Sequence, residues 1–262
     1  MSRSWLDRLL PATWQPRVIM HLHPQHISWS RQRGVFKPSV LAQGRLQFEH
    51  DHHDSFLALL LPAMQEAGVA GARVEMVLSS DFMRYAIVPN PDGATSREEL
   101  AMLCHHAFQR VHGDIVAEWD IQMSLAALGG NGLASAVDQA LLTALRQQVV
   151  EAGGRLVSVA PALAYAFHHA TTSGTDGIFV LRESGRLCLL AWQNRSWTAV
   201  RLQPMTDDWQ STLEASVQRL RLQLDMADAT PVQVYELAGD AMQPRMISWQ
   251  PQANWTLAGV SA

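Results

Sequence analysis

Between Gly177 and Leu202 the chain reads as three short strands in succession, and the helix and strand after them narrow the fold further. Ile178 to Leu181 is an apolar run, Glu183-Ser184-Gly185 supplies a turn, and Leu187 to Trp192 is apolar again. Gln193-Asn194-Arg195 turns the chain once more, and Trp197, Ala199 and Leu202 fall on a third strand. Short β-rich runs separated by Gly, Asn and Ser turns signal a meander. Trp192 and Trp197 flank the second turn, where a cross-strand aromatic pair would stabilise the hairpin. A helical pattern covers Asp207 to Met226, with Leu213, Val217, Leu220 and Leu224 on one face and Arg219 and Arg221 off it. A strand, Val232 to Leu237, comes next.

The same order occurs near the N-terminus. Arg17 to Trp29 reads as strand, turn, strand, and Val35 to Phe48 as the third strand. Asp54 to Ala67 is helical, with Asp51 or Asp54 as its cap, and Ala72 to Leu78 is a strand. The chain therefore uses one supersecondary unit twice, without obvious residue identity between the copies. Three antiparallel strands, a helix and a returning strand form an order that resembles the core of half an actin-like domain.

Between the two copies lies additional structure. Arg84 to Val88 is a strand ending at Pro89, and Ser96 with Glu99 forms a capping box for a helix from Arg97 to His112. Ile115 to Met123 reads as an edge strand, and Gly129-Gly130-Asn131-Gly132 turns a hairpin within Ser124 to Ala136. Asp138 to Ala152 is a helix closed by Gly153-Gly154, Leu156 to Ala160 a strand, and Pro161 to His169 a short helix. The small polar run Thr171 to Asp176 marks a domain boundary. The expected division is an amphipathic segment over 1–16, a first subdomain with an insertion over 17–170, and a second over 177–262. Met246 to Trp249 and Trp255 to Ala258 are candidate last strands, with Trp209, Trp249 and Trp255 as core candidates.

Composition excludes some classes. A net charge of -4 with 17% charged residues is not the basic character of a nucleic-acid binder. No apolar run reaches the roughly 20 residues of a membrane span. The N-terminus has no signal-peptide core, so a cytoplasmic location is expected. Cys104 and Cys188 sit in apolar segments and read as buried thiols.

Eleven histidines raise a metal reading, and His50-Asp51-His52-His53-Asp54 is the densest cluster. Adjacent loop residues cannot all converge on one ion, and a site would need His21 or His23 as well. A solvated capping loop explains the cluster better. His168 and His169 end a helix, where a cation is favourable. No Gly-x-Ser-x-Gly elbow supports a catalytic triad, and no P-loop pattern is present.

Three strings carry a resemblance: Val77-Leu-Ser-Ser-Asp-Phe-Met-Arg-Tyr-Ala-Ile-Val-Pro89, Gly153-Gly-Arg-Leu-Val-Ser-Val-Ala-Pro161 and Val234-Tyr-Glu-Leu-Ala-Gly239. With the layout above, the chain resembles the PilM family of bacterial type IV pilus assembly proteins, the cytoplasmic part of GspL from type II secretion, and the MshI-type proteins. The resemblance implies an α/β protein with the actin-like ATPase fold: two RNase H-like subdomains with mixed sheets flanked by helices. In active members an Asp-x-Gly type turn after the first strand of each half holds phosphate and metal, because only a bare backbone approaches a phosphate closely.

This chain departs from that pattern. By resemblance its cleft would fall at His21, His23 and Gln25, then Arg182, Glu183, Ser184 and Gly185, then Gly239. His21 stands about where the first carboxylate would be, and Arg182 is expected at the second turn. No cofactor is expected, with ATP disfavoured by the missing Asp and Gly residues. The resemblance then implies a non-catalytic scaffold, held peripherally at the inner membrane. It would bind the cytoplasmic tail of a bitopic inner-membrane protein, in the cleft or in a groove on the first half. A secretion or pilus ATPase and a second copy of the chain are further partners it allows. The competing readings are a nucleotide-binding ATPase or small-molecule kinase of the actin-like superfamily, which would respond to MgATP, and a His-dependent metalloenzyme, which would carry stoichiometric metal.

Overall fold

The computed structural model describes residues 16–34, 39–48, 53–90, 96–125, 130–170, 172, 174–238 and 243–249. Its first unit runs β1 (Arg17–His23), β2 (His26–Arg33), β3 (Ser39–Gln47), α1 (His53–Glu66) and β4 (Arg73–Leu78). An insertion comes next: β5 (Arg84–Val88), α2 (Arg97–His112), a 3-10 turn (Gly113–Glu118), β6 (Trp119–Leu125) and β7 (Gly132–Asp138). Then come α3 (Gln139–Glu151), β8 (Arg155–Pro161) and α4 (Ala162–His169). The second unit is β9 (Gly177–Glu183), β10 (Arg186–Gln193), β11 (Ser196–Pro204), α5 (Trp209–Leu224), β12 (Val232–Ala238) and β13 (Gln243–Ile247).

Two five-stranded sheets, ordered β3-β2-β1-β4-β8 and β11-β10-β9-β12-β13, carry the duplication expected from the sequence. In each, the first three strands are antiparallel, and the strand after the helix returns parallel to the first. The fifth strands differ: β8 runs parallel to β4, whereas β13 runs antiparallel to β12. The insertion adds a three-stranded sheet, β5-β7-β6, backed by α2.

Strand alternation builds three layers of core. Val18, Met20 and Leu22 of β1 point outward and are covered by Phe56 and Leu60 of α1 and Leu145 of α3. Ile178 and Val180 of β9 are covered in the same way by Leu213, Val217 and Leu220 of α5. Between the sheets lies a shared core, where Ile19 and Val77 of the first unit meet Phe179, Leu181, Leu190 and Tyr235 of the second around Leu163 and Ala166 of α4.

Local chemistry explains most element ends. Ser96 accepts from the Glu99 amide at 3.2 Å, capping α2, and Asp138 accepts from the Ala140 amide at 2.8 Å, capping α3. Gly153, at φ 72°, ends α3 in the left-handed conformation that glycine adopts without strain. Asn194 and Arg195, at φ 50° and 61°, form the two-residue turn between β10 and β11. Trp192 and Trp197 pair across it edge to face, 6.3 Å apart, and both cysteines are buried.

Several expectations need correction. The segment 113–118 is a 3-10 turn, and the strand begins only at Trp119. The third strand starts at Ser39, with 35–38 outside the described residues. Arg221 does not lie off the apolar face of α5. It is buried and donates from Nη2 to the Thr230 carbonyl at 2.9 Å, which satisfies part of its guanidinium. The segment 1–15, the His50–His52 loop, Gly239 and Trp255 lie outside the described residues. No described helix is long and apolar enough to cross a membrane.

The shared core gives a direct test. Phe179 stacks on Tyr235 at 5.1 Å and meets Phe167 edge-on at 5.3 Å, with no exposed surface. Phe179→Ala is expected to remove about 3–5 kcal/mol of unfolding free energy, read by urea denaturation.

Candidate functional site

The inner face of β1 ends in histidines. Ile19, His21 and His23 share the side opposite Val18, Met20 and Leu22, so the alternation that aims Ile19 at the second unit aims both imidazoles there. On β9 the same alternation carries Phe179 and Leu181 inward and places Glu183 at the strand end. The turn after β4, Ser79–Asp81, closes the third side. It is held by the Ser79 amide donating to the Leu22 carbonyl at 2.8 Å.

Glu183 sits at the centre of this seam with 6% of its surface exposed. The Ser80 amide donates to both of its carboxylate oxygens at 3.2 Å. The Cys188 thiol donates to Oε2 at 3.4 Å, and His21 Nε2 stands 3.8 Å from Oε1. Burial pushes the Glu183 carboxyl upward, but neighbouring His21 and the Ser80 hydroxyl and amide outweigh it and hold its pKa below the ordinary carboxylate value. Burial, then the Glu183 charge, push the Cys188 thiol well above its usual range, so it stays protonated as a donor. Burial also raises the Tyr85 phenol, whose hydroxyl lies 3.3 Å from Ser80 Oγ.

A second set of contacts joins the two hairpin turns. The Gln25 amide donates to His23 Nδ1 at 3.1 Å, so in the neutral ring the proton sits on Nε2. That nitrogen donates to the Ser184 carbonyl at 3.3 Å and lies 3.5 Å from Asp81 Oδ2. Asp81 Oδ1 pairs with Arg186 at 2.5 Å. His26 stacks on His23 with ring centroids 4.5 Å apart. Burial first, then the neighbouring His23 and Arg45, hold His26 down to about 3. Burial also lowers His23, with Asp81 opposing.

Of the residues expected in the cleft, His21, His23, Glu183 and Ser184 come together here. Gln25 takes part through its backbone alone. Gly185, at φ 76°, shapes the second turn. Arg182 belongs to β9 rather than to the turn. It lies on the α5 side, paired with Glu236 on β12 and 4.9 Å from the Trp209 ring, because alternation sends it opposite to Glu183. Sequence reasoning places the cleft around His21 to His26, which takes in His26, and misses Ser80, Asp81, Arg186 and Cys188. Only Ser80 and Asp81 carry a signal, as a turn in the first of the three strings that bear the resemblance. Among the described residues no group of three or more His, Cys, Asp or Glu side chains is placed to hold a metal ion.

The first unit also presents a groove. Among the described residues β6 pairs only with β7 and β8 only with β4, so both present an edge unpaired by any described strand, and they border one cavity of about 450 Å³. Its floor is apolar, with Leu78, Val137, Leu142 and Val159, and Asp120, Gln122 and Arg146 line its sides. A bulge between Leu156 and Ser158 leaves Val157 unpaired with β4 and 38% exposed on the lining.

Comparison with solved structures bears on the fold. The chain superposes on the cytoplasmic domain of EpsL, an inner membrane component of the type II secretion system of Vibrio cholerae. The TM-score is 0.59 at 14% identity, covering 92% of this chain and 91% of that one. It superposes on the structure of the PilM-PilN type IV pilus biogenesis complex with a TM-score of 0.61 at 12% identity, covering 86% and 82%. A Bacteroides thetaiotaomicron protein with actin-like ATPase fold and unknown function gives 0.58 at 10%, covering 89% and 84%. The chain has the actin-like fold that these structures share. No family model and no curated relative matches the sequence.

Two outcomes test the seam. Glu183→Ala strands the buried Ser80 amide and is expected to cost about 1–3 kcal/mol, while Glu183→Gln, which keeps an acceptor, costs less. Thermal unfolding of the two variants reads the difference. Acid should also destabilise the protein. The native pKa of His26, about 3, lies below the 6.5 of an unfolded chain. The unfolded state therefore takes the proton first, and stability held above pH 6.5 falls as pH drops towards 3. Glu183, also lowered, adds a loss below its unfolded value of 4.5. Between pH 7 and 5 the His26 share is about 1–2 kcal/mol, and His26→Gln should flatten the decline.

Proposed function

We propose that this chain is a non-catalytic component of a type IV pilus or type II secretion assembly platform. In this reading it works on the cytoplasmic side and binds the short tail of a bitopic inner-membrane protein in the groove between β6 and β8. It is held at the membrane through that partner, and its two halves join through 171–176. The observation that carries the proposal is the pair of strand edges, unpaired among the described residues, that border one groove. An extended tail can satisfy either edge by adding a strand, while its alternate side chains enter the apolar floor.

The seam supports the non-catalytic part. A phosphate between the hairpin turns would have to displace the Glu183 carboxylate and the His23 to Ser184 hydrogen bond. It would meet like charge in Glu183, and neither turn carries an Asp-x-Gly. The solved structures of similar fold include the cytoplasmic domain of an inner membrane secretion component and a pilus biogenesis complex. The reading calls for no cofactor and allows a secretion or pilus ATPase as a further partner.

Affinity capture from detergent-solubilised native cells, followed by titration of the synthetic tail of the captured single-span protein, tests the proposal. Val157 is exposed, so Val157→Lys should leave thermal stability nearly unchanged and weaken tail binding at least about tenfold, or 1.4 kcal/mol. MgATP should shift neither melting nor binding. Unchanged tail affinity in Val157→Lys would rule out the groove, and an MgATP shift that also alters tail binding would rule out the inert seam.

A further inference from the structure

The groove does not end at the last residues that define it. Asp120 pairs with Val137, Gln122 with Ser135 and Ser124 with Leu133 across β6 and β7. Spaced by two, these three pairs lie on one face of the ribbon. The first two pairs line the groove, and the third lines a second cavity of about 510 Å³. One pair corresponds to about 7 Å along a strand. A chain lying along the β6 edge therefore passes from the groove to the mouth of the second cavity within a few residues.

That cavity differs from the groove in chemistry. Phe167 of α4 meets the rings of Trp192 and Trp197 edge-on, at 5.8 and 5.1 Å. All three line the cavity, with Leu133 and Leu190. Trp197 is 6% exposed, and its indole N–H has no hydrogen-bond partner among the described residues. An unpaired buried donor is costly, and a ligand acceptor would remove that cost. Arg195 and His168 also line the cavity, no acidic side chain does, and Arg195 makes no ion pair among the described residues. Two bonds fix one wall to the other: the Asn131 amide donates to Ser196 Oγ at 3.0 Å, and its side chain donates to the Trp197 carbonyl at 2.9 Å. The volume lies in the range of pockets that enclose a ligand.

We infer that this aromatic cavity is a second subsite for the same tail. It takes an aromatic or branched apolar side chain with an acidic residue beside it. The inference rests on the reading that a tail lies along β6. In it, the apolar side chain fills the space bounded by Phe167, Trp192 and Trp197. A tail carbonyl or carboxylate accepts the Trp197 N–H, and the acidic residue pairs with Arg195. The second unit then adds selectivity to a groove built by the first, and the tail spans both halves.

Panning a displayed library of random dodecapeptides against the full chain tests this. The wild type is expected to enrich peptides with two clusters: an apolar one, and an aromatic or branched residue next to Asp or Glu about four to six residues away. Val157→Lys should abolish enrichment through the first cluster. Trp197→Phe removes the N–H and keeps the ring. Arg195→Asn removes the charge at a turn position that suits asparagine, and it guards against misfolding of the tryptophan variant. Both should lose the second cluster, keep the first, and bind a synthetic two-cluster peptide about tenfold more weakly. Enrichment of a single cluster, or equal affinity in Trp197→Phe and Arg195→Asn, overturns the subsite and leaves the groove standing. No enrichment, or enrichment indifferent to Val157→Lys, overturns the groove and the subsite together.

Discussion

The two copies of the repeated unit meet over a buried carboxylate. Glu183 belongs to the second unit, yet the Ser80 amide of the first donates to it, and His21 of the first stands beside it. Desolvating such a group costs several kcal/mol, on the order of what good hydrogen bonds return. Its value therefore lies in specification. Only one relative placement of β1, β4 and β9 supplies the Ser80 amide, the Cys188 thiol and the His21 ring together. The His23 to Ser184 bond and the Asp81 to Arg186 pair fix the same placement from the outer side of the seam.

Beneath that polar seam the two sheets share an apolar core around α4, and the insertion braces it from the side. Leu133 of β7 packs in this shared core with Tyr85 and Ile87 of β5 against it, while Ala134 and Ala136 of β7 face α2. Thus the three-stranded sheet meets the second unit through β5 and β7, and its β6 edge is unpaired among the described residues. A free edge invites pairing with any extended chain, and soluble proteins normally blunt or cover it. Here β6 and the bulged β8 both line one cavity.

Much of this is legible in the sequence because it is local. Apolar runs broken by Gly, Asn and Ser in the second unit, and by Pro24-Gln25 in the first, announce the hairpin trios, and Ser96 and Asp138 announce their helices through capping chemistry. The 3-10 turn escapes a sequence reading because Ile115 and Val116 look like strand residues, while Gly113 and Asp114 favour a tight turn just before them. Arg221 escapes it because its partner is the Thr230 carbonyl, which no periodicity reveals. The seam is half legible. Resemblance locates His21, His23, Glu183 and Ser184, but the Ser80 to Glu183 bond joins residues 103 apart, and nothing in either segment alone points to the other. Arg182 fails for a local reason: a two-residue turn at Ser184-Gly185 leaves it one position inside the strand, and one position reverses the face.

The divergence between the two copies follows from these constraints. In a duplicated fold whose hairpin turns hold a phosphate, both turns must stay bare and the space between them open. In this chain the first turn carries histidines and the second a glutamate, and they bond to one another. These contacts tie the two halves to one another across the seam. Further along, Asn131 of the first unit bonds Ser196 and Trp197 of the second, which ties the aromatic cavity to the first unit. In the proposed reading, the same contacts give an extended ligand one continuous surface across both halves, and preorganisation lowers the ordering cost of binding it.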